Sequence, residues 1–304
     1  MPIVAIVDCR HASFEPERSV LEPAGVEIVL GHHEDAEVLC VQYAVVDGDL
    51  LDRTPRCRGV VRYGVGYDSV DVEAATARGV WVVNVPDYGT AEVADHALAL
   101  ILGLLRGVTR LDRAVRGGDW DFEAGGELRR LSELTLGVVG CGRIGSAVVE
   151  RAAAFGFSVL GTDVRAGAVR PPAAPVPLAE LLERSDVVTL HAPLDETTRH
   201  LIDADALARM RPGAFLVNTA RGGLADGAAV LAALEAGRLA GAALDVLEAE
   251  PPADLDLVSH PRVIATPHAA WFSRESMLQL KREVAREALR VLAGERPRSP
   301  VNQL

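Results

Sequence analysis

The sequence predicts an α/β protein built from parallel sheets, with strands and helices alternating along the chain. Short apolar runs rich in β-branched residues recur as far as residue 266, and longer helical segments separate them. This alternation is the pattern of a doubly wound parallel sheet. A length of 304 residues, of which 49% are hydrophobic, is sufficient for more than one core. We therefore predict two α/β domains.

Four short strands are predicted to form a first sheet near the N-terminus. They lie at residues 3–7, 27–30, 38–41 and 60–61. The connector at residues 32–35 has the sequence His-His-Glu-Asp, for which a metal site is one interpretation. Adjacent side chains rarely converge on one ion, so a solvated loop is the preferred interpretation and no metal site is predicted.

A glycine loop, residues 62–71, directly follows the fourth predicted strand. Gly64 and Gly66 allow backbone N–H groups to point into a cleft, where they can bind a carboxylate. A plain glycine turn fits the same spacing. The first sheet is expected to end at Pro86, because proline restricts the preceding residue. A predicted helix at 91–106 then carries the chain into the second domain.

A glycine-rich pattern opens the second domain. A strand at 136–139, apolar enough to be buried on both faces, leads into Gly140, Gly142 and Gly145, which have the G-x-G-x-x-G spacing, and a helix follows. The first glycine permits a tight turn, the second the approach of a pyrophosphate, and the third close packing of helix on strand. The phosphates of a dinucleotide are expected at the N–H groups of the helix start.

An acidic residue ends the strand that follows this helix. The strand is predicted at 158–162, and Asp163 comes next. A carboxylate here can accept both ribose hydroxyls of NAD and repel the 2′-phosphate of NADP, although Arg165 weakens this preference. An ordinary turn carboxylate is the alternative. Because strand, turn, helix and strand all match, we predict NAD as the cofactor.

The remaining strands of the second domain are predicted from apolar runs. They lie at residues 187–191, 214–219, 242–246 and 263–266. Asp226 as N-cap and Gly237 just past the end bracket a helix at 227–236. A final amphipathic helix at 277–293 is expected to return to the first domain.

Composition argues against several classes of function. A net charge of −12 and a pI near 5.2 disfavour a nucleic-acid surface, which needs clustered basic residues. The longest apolar run, residues 97–105, is far shorter than the roughly 20 residues that cross a bilayer. No basic leader opens the sequence, and the four cysteines show no C-x-x-C spacing. We expect a soluble, cytoplasmic protein that binds small molecules.

Three polar residues follow the ends of successive predicted strands, where α/β sheets place their functional groups. Arg221 offers a guanidinium that can bind a carboxylate and polarise a carbonyl. His268 can exchange a proton near neutral pH, and Glu250 can pair with it. Alone, each has an ordinary alternative, as a surface arginine, a capping histidine or a loop glutamate. Together, beside a dinucleotide pattern, they predict a catalytic site.

Several segments resemble the D-isomer-specific 2-hydroxyacid dehydrogenases. They are GCGRIG with Asp163, HAPLDETTRHLI, MRPGAFLVNTARGG, AALDVLEAEPP and TPHAAW. The resemblance covers almost the whole chain and implies two Rossmann-like or flavodoxin-like domains. An NAD-binding domain, residues 87–269, is inserted into a discontinuous substrate domain, residues 1–86 and 270–304. The resemblance also implies a homodimer that transfers a hydride between NADH and a small 2-oxo acid or D-2-hydroxy acid.

The same resemblance implies roles for individual residues. His268 is the acid/base, Glu250 its partner and Arg221 the substrate anchor. The N–H groups of Val65 and Gly66 bind the substrate carboxylate. The residues implied to line the cofactor, besides the three glycines and Asp163, are Thr90, Arg143, Ile144, His191, Pro193, Thr197, Thr219, Ala220 and Asp245.

One segment departs from the family pattern. Most relatives carry H-x-x-G-x-T after the histidine, whereas here His268 is followed by Ala-Ala-Trp-Phe-Ser. With Arg62, this segment resembles the C-terminal-binding-protein corepressor branch, and the resemblance places Trp271 and Arg62 beside the substrate. Two other functions stay open: a corepressor-like protein that senses NAD(H) with weak dehydrogenase activity, and a dehydrogenase of an oxyanion such as phosphite.

Overall fold

A computed structural model describes residues 1–9 and 13–304, and the chain divides into two compact units. Unit 1 comprises Met1–Gly89 and Ser273–Leu304, and unit 2 comprises Thr90–Phe272. The sequence analysis places the two boundaries slightly earlier, at 86/87 and 269/270. Each unit contains a parallel sheet with helices, which confirms the predicted fold class.

Short strands and helices alternate through both units. The strands are β1 (Ile3–Ile6), β2 (Glu27–Leu30), β3 (Val38–Val41), β4 (Gly59–Arg62), β5 (Trp81–Val83), β6 (Thr135–Val139), β7 (Ser158–Thr162), β8 (Ala174–Pro175), β9 (Val187–Leu190), β10 (Ala214–Asn218), β11 (Leu239–Leu244) and β12 (Val263–Ala265). The helices are α1 (Glu15–Leu21), α2 (Gly48–Asp52), α3 (Val72–Ala77), α4 (Thr90–Leu105), α5 (Val108–Arg116), α6 (Arg143–Ala154), α7 (Leu178–Arg184), α8 (Ala204–Arg209), α9 (Gly227–Glu235), α10 (Asp256–Ser259) and α11 (Arg274–Leu292).

Unit 1 has a five-stranded parallel sheet in the order β2-β1-β3-β4-β5. Its core contains the buried residues Leu39, Val60 and Val82, one from each of three neighbouring strands. Helix α11 packs on α1, β3 and β4. It begins at Arg274 rather than at residue 277 as predicted, because Ser273 caps it in a reciprocal capping box.

A buried ion pair joins α1 to α11 within unit 1. Lys281, the one lysine in the sequence, is 3% exposed, and its Nζ lies 3.5 Å from Oε2 of Glu17, which is 1% exposed. The Tyr63 hydroxyl donates to Glu17 Oε1 at 2.9 Å, and the Lys281 ammonium also donates to the Ser13 carbonyl oxygen. The two buried charges therefore offset each other, although Glu17 Oε2 has no hydrogen-bond partner among the described residues.

Unit 2 has a seven-stranded parallel sheet in the order β12-β11-β10-β9-β6-β7-β8. One core cluster, around Ile101 and Val148, packs α4 and α6 on the sheet. The other, around Leu181 and Leu207, includes α7 and α8. The chain reverses its direction of progress across the sheet between β6 and β9, and ligands of such sheets bind beyond the strand ends at this point.

Three details of unit 2 differ from the sequence prediction. Strand β11 is Leu239–Leu244 rather than 242–246, because Leu239 already pairs with Ala214 across a register shift. Asp245 therefore lies just past the carboxyl end of the strand. Helix α5 and the two-residue strand β8 were not predicted. Among the described helices, none combines the length and the apolar character needed to cross a membrane.

Candidate functional site

The glycine turn between β6 and α6 is a cradle that requires glycine. Gly140 has a φ of +88°, and a Cβ there would lie 2.7 Å from backbone atoms of His191 and Ala192. A Cβ on Gly145 would lie 1.9 Å from the Gly140 carbonyl oxygen. Gly142 is the N-cap of α6, so the first N–H groups of this helix lack intrahelical acceptors. A helix start of this kind binds phosphate.

Asp163, just past β7, already has partners for both of its carboxylate oxygens. Oδ1 accepts from the Arg165 N–H (2.9 Å) and Nε (3.0 Å), and Oδ2 accepts from Arg165 Nη2 (3.1 Å) and from the Cys141 N–H (2.8 Å). The side-chain hydrogen bonds from Arg165 lower the pKa of Asp163, and they outweigh the opposing effect of burial. The carboxylate is therefore charged, but a guanidinium offsets that charge.

A cavity of about 600 Å³ opens beside the glycine turn, within unit 2. Gly142 and Ser146 line it from the turn and from α6, and its charged lining residues are Arg143, Arg165, Arg170 and Glu150, so that positive charge is in excess. Positive charge around a cavity at a phosphate-binding turn suits an anionic ligand such as a dinucleotide.

Arg165 is expected to weaken the preference for NADH over NADPH, because its guanidinium can also pair with a 2′-phosphate. Arg165→Ala should raise the ratio of the NADPH dissociation constant to the NADH dissociation constant about tenfold, which is roughly 1.4 kcal/mol. Asp163→Ala should lower it. Fluorescence titrations of the purified protein measure both constants. An unchanged ratio in Arg165→Ala would contradict this role, and tighter NADPH than NADH binding by the wild type would contradict the role of Asp163.

Two buried polar atoms near the ends of β9 and β10 lack a hydrogen-bond partner among the described residues. They are His191 Nδ1 and Thr219 Oγ1. His191 Nε2 lies 2.9 Å from Thr189 Oγ1, and burial lowers the pKa of His191 to about 4, so its ring is neutral near neutral pH. Buried polar atoms normally have a hydrogen-bond partner, and a bound ligand can supply one. These atoms and the glycine cradle fit a bound dinucleotide.

The other residues predicted to line the cofactor are spread through unit 2. Thr90 begins α4, and Ile144 packs from α6 against the core. Ala220 follows β10 and is half-buried. Pro193 and Thr197 lie in the loop after β9, where the Thr197 hydroxyl donates at 2.6 Å to a carboxylate oxygen of the same loop. Their roles in cofactor binding stay predictions.

Glu250 and His268 meet beyond the ends of β11 and β12. Glu250 Oε2 lies 2.6 Å from His268 Nδ1, and Glu250 Oε1 accepts the Leu247 N–H at 3.0 Å. Burial acts to raise the pKa of Glu250, but the hydrogen bond and charge of His268, with smaller effects of Leu247 and Arg221, hold it below its ordinary value. Because the carboxylate holds Nδ1, Nε2 is the ring atom available for proton exchange.

Arg221 follows β10 and acts electrostatically on the same pair. Its carbonyl oxygen accepts from Asn218 Nδ2 at 2.8 Å, and its Nη1 donates to the Ala220 carbonyl oxygen at 2.7 Å. Its positive charge contributes to the lowered pKa of Glu250. Unit 2 thus brings the three predicted catalytic residues into one neighbourhood.

Asp245, predicted to line the cofactor, is buried against the turn that carries His268. Its Oδ1 accepts the Ala269 N–H at 2.8 Å, and its Oδ2 accepts the Ala270 N–H at 2.9 Å. Both oxygens are therefore bonded to the protein itself, a role that the sequence analysis did not predict.

In unit 1, the loop after β4 exposes backbone donors. Gly64 has a φ of +143°, and Asn84 Nδ2 donates to the Val65 carbonyl oxygen at 2.6 Å. Within residues 1–9 and 13–304, no acceptor takes the N–H of Val65 or of Gly66. The Arg62 guanidinium donates to the next carbonyl oxygen along the chain. The carboxylate-binding role predicted for this loop is compatible with these donors and stays a prediction.

Trp271 lies near the C-terminal end of unit 2 and is half-buried. Its ring packs edge to face on Phe272, with centroids 5.7 Å apart and an interplanar angle of 89°. This pair forms a rigid apolar surface, and its predicted position beside the substrate stays a prediction.

In the predicted loop at 32–35, the two histidine side chains make hydrogen bonds within unit 1. His32 Nε2 lies 2.9 Å from Thr54 Oγ1, and His33 Nδ1 accepts the Asp35 N–H at 3.2 Å. In the described ranges, no group of three His, Cys, Asp or Glu side chains could hold a metal ion.

Sequence reasoning missed several residues of this neighbourhood. Ser146 lies one helical turn after Gly142, a spacing that could have placed it beside the phosphate-binding turn. Arg170 lies in an irregular loop that gives no such signal. His96 and Thr266 form a hydrogen-bond chain to Asp245. His96 lies in a largely apolar helix and Thr266 at the end of a predicted strand, and neither position gives a signal of this contact.

Comparison with known proteins agrees with this geometry. Residues 98–270 match the model of the NAD binding domain of D-isomer specific 2-hydroxyacid dehydrogenases. The chain is 39% identical to the glyoxylate reductase of Korarchaeum cryptofilum (strain OPF8) over 289 residues, which are 92% of this chain and 87% of that protein. The match confirms the predicted dinucleotide-binding domain with NAD as its cofactor.

Two further proteins that are similar to this chain have other names, and one of them is much longer than this chain. The chain is 39% identical to the D-3-phosphoglycerate dehydrogenase of Bacillus subtilis (strain 168), with 93% of this chain matched, but it spans only 56% of that protein. It superposes on the crystal structure of the Aquifex aeolicus D-lactate dehydrogenase complexed with NAD and lactic acid with a TM-score of 0.89. That match has 29% identity and covers 96% of each chain.

Proposed function

Because this chain belongs to the D-isomer specific 2-hydroxyacid dehydrogenase family, we propose that it is an NADH-dependent reductase of small 2-oxo acids, which forms D-2-hydroxy acids. The observation that carries the proposal is the 2.6 Å contact between Glu250 and His268, in the same unit as the glycine cradle. The relatives named glyoxylate reductase and D-lactate dehydrogenase support this class of substrate. The resemblance to the corepressor branch stays a prediction.

In the proposed reaction, bound NADH supplies the hydride that the carbonyl carbon receives. His268, with Glu250 stabilising its protonated form, donates a proton from Nε2 to the carbonyl oxygen. Arg221 binds the substrate carboxylate and polarises the carbonyl. Val65 and Gly66 keep their predicted role as N–H donors to the carboxylate, and Trp271 and Arg62 their predicted role in substrate choice.

A substrate screen tests the proposal. Purified protein is mixed with NADH and, separately, glyoxylate, pyruvate and 2-oxo acids with longer apolar side chains, and NADH consumption is followed. Turnover of at least one 2-oxo acid is expected. Binding of NADH without any turnover would favour the corepressor-like binding protein. Reduction of NAD by phosphite, with no reaction of any 2-oxo acid, would favour the oxyanion dehydrogenase.

Glu250→Gln is expected to move the pH profile of reduction. The rate requires protonated His268 and so falls as pH rises. Without the carboxylate the imidazolium is less stable, so the midpoint of this fall should move to lower pH. Initial rates between about pH 5 and 9 measure it. An unchanged midpoint would contradict the pairing.

The lowered pKa of Glu250 also affects folding. A carboxyl whose pKa is lower in the folded state contributes stability above its unfolded pKa, and this contribution is lost as pH falls through the folded value. Glu250→Gln should therefore reduce the difference in stability between neutral and acidic pH.

We also propose a homodimer, supported by two exposed aromatic residues of unit 2. Trp120 is 90% exposed and Phe122 is 83% exposed in the segment after α5. Large exposed aromatic residues in one segment are typical of an interaction surface. Sedimentation velocity should detect a dimer in the wild type and a monomer in a Trp120→Ser/Phe122→Ser variant. A monomeric wild type would contradict the proposal.

A cytoplasmic location is the remaining part of the proposal. It is supported by the four cysteines, all of which are thiols outside any disulfide, as is usual in a reducing compartment. Cell fractionation with an antibody against the chain tests it, and recovery in the membrane or secreted fraction would contradict it.

A further inference from the structure

A continuous hydrogen-bond chain in unit 2 leads from α4 to the turn that carries His268. The Thr266 hydroxyl donates to Asp245 Oδ1 at 2.6 Å, and His96 Nε2 lies 3.1 Å from the same hydroxyl oxygen. Because the single hydroxyl proton of Thr266 is given to the carboxylate, His96 must be the donor, through Nε2–H. The order of donation is therefore His96 to Thr266 to Asp245.

Asp245 passes this restraint to the backbone around His268. Its two carboxylate oxygens accept the N–H groups of Ala269 and Ala270, and its carbonyl oxygen accepts the His268 N–H at 2.7 Å. The His268 N–H also lies 3.0 Å from the Thr266 carbonyl oxygen. Asp245 and Thr266 thus contact the His268 N–H through their main-chain carbonyl oxygens, and the Asp245 carboxylate holds the two residues that follow.

The turn needs such restraint because His268 has a φ of +52°. This left-handed conformation is unfavourable for a residue with a Cβ and persists only where the surroundings impose it. The direction of the imidazole depends on this backbone conformation, and so does its contact with Glu250.

His96 also lies 3.7 Å from Asp245 Oδ1. In the described part of the chain, it is the one basic side chain within 4.0 Å of this buried carboxylate. Removing His96 therefore leaves Asp245 with a weaker set of partners. The turn that this carboxylate holds is then less restrained.

We propose that His96 is a positioning residue for catalysis: through Thr266 and Asp245 it holds the turn 266–270, and with it His268, in the reactive geometry. The catalytic part of this proposal rests on the proposed reduction of 2-oxo acids, whereas the restraint of the turn does not depend on it. Small displacements of a catalytic group reduce rates by about 100-fold, whereas binding at a separate place is left intact.

Kinetics of two substitutions that remove a hydrogen-bonding side chain test the proposal. His96→Leu and Thr266→Val should each lower kcat about 10- to 100-fold, while KM for the 2-oxo acid and the dissociation constant of NADH stay near wild type. His96→Gln keeps an N–H donor and should restore most of kcat. Because the two residues act in series, the double variant should lose little more than either single variant.

The matched control is Asp95→Ala on the same helix. Asp95 pairs with Arg151 at 2.6 Å on the exposed face of α4, so this variant should retain wild-type kcat. Wild-type kcat in His96→Leu, equal losses of kcat and NADH affinity, failure of His96→Gln to restore kcat, or additive losses in the double variant would each overturn the proposal.

Hydrogen–deuterium exchange of the same variants gives a readout that does not need turnover. Amides of residues 266–270 should exchange faster in His96→Leu and Thr266→Val than in the wild type and in Asp95→Ala. If the wild type reduced no 2-oxo acid, the proposed function would fail, but this comparison would still decide the role of His96. Unchanged exchange in both deletion variants would overturn it.

Discussion

His268→Ala is expected to lower kcat for 2-oxo acid reduction by about 10²–10⁴-fold, the range typical of losing a general acid. NADH affinity should stay close to wild type, because the glycine cradle and Asp163 are separate from the Glu250–His268 pair. Steady-state kinetics give kcat, and fluorescence titration gives the NADH dissociation constant.

A second histidine provides a matched control for this variant. His200 also pairs with a glutamate, since its Nε2 lies 2.9 Å from Glu248 Oε2, and it also has a positive φ, +50°. No catalytic role is predicted for it. His200→Ala should therefore keep most of the turnover. Equal losses in the two alanine variants would show that removing any such pair disturbs unit 2, and would contradict a chemical role of His268.

Lys281→Met is expected to cost unit 1 about 3–5 kcal/mol of its free energy of unfolding. The variant leaves Glu17 buried with a negative charge and, among the described residues, with the Tyr63 hydroxyl as its one strong partner. A buried carboxylate without a cation is far less stable than one that is paired, and the methionine chain has about the volume of the lysine stem. Urea unfolding followed by far-UV circular dichroism measures the loss.

The double variant Lys281→Met/Glu17→Gln separates charge from packing. A neutral amide at position 17 still accepts from the Tyr63 hydroxyl, and no charge remains buried. Most of the lost stability should return. A single variant as stable as the wild type would contradict the idea that the ion pair is buried and coupled, and a double variant as unstable as the single would assign the loss to packing.

The sequence predicted those parts of the site that depend on backbone position. Glu250 and His268 both follow ends of neighbouring strands, so a parallel sheet brings them to one edge, and the glycine turn follows from steric needs that only glycine meets. The pairing of Arg165 with Asp163 was not predictable in the same way. It depends on the rotamer of a long, exposed side chain, which sequence spacing does not determine.

The hydrogen-bond chain from His96 through Thr266 to Asp245 was not predicted, for a different reason. His96 lies in a helix whose pattern is otherwise apolar, and Thr266 was predicted as an ordinary strand residue. Their contact joins positions 170 residues apart in the sequence, and only the tertiary packing of α4 on the sheet creates it. The bounds of β11 were wrong because a register shift, which has no local sequence signal, lengthens the strand at its start.

The single lysine has a practical consequence for chemical labelling. To label a lysine, amine-reactive dyes and crosslinkers require an accessible ε-amino group, and the one lysine of this sequence is 3% exposed and held in an ion pair. Under native conditions, covalent modification of Lys281 therefore requires unit 1 to open. When reclosing is faster than modification, the rate at which a small amine-reactive reagent modifies this residue reports the population of the open form, from one mass-spectrometric peak and without any engineered probe.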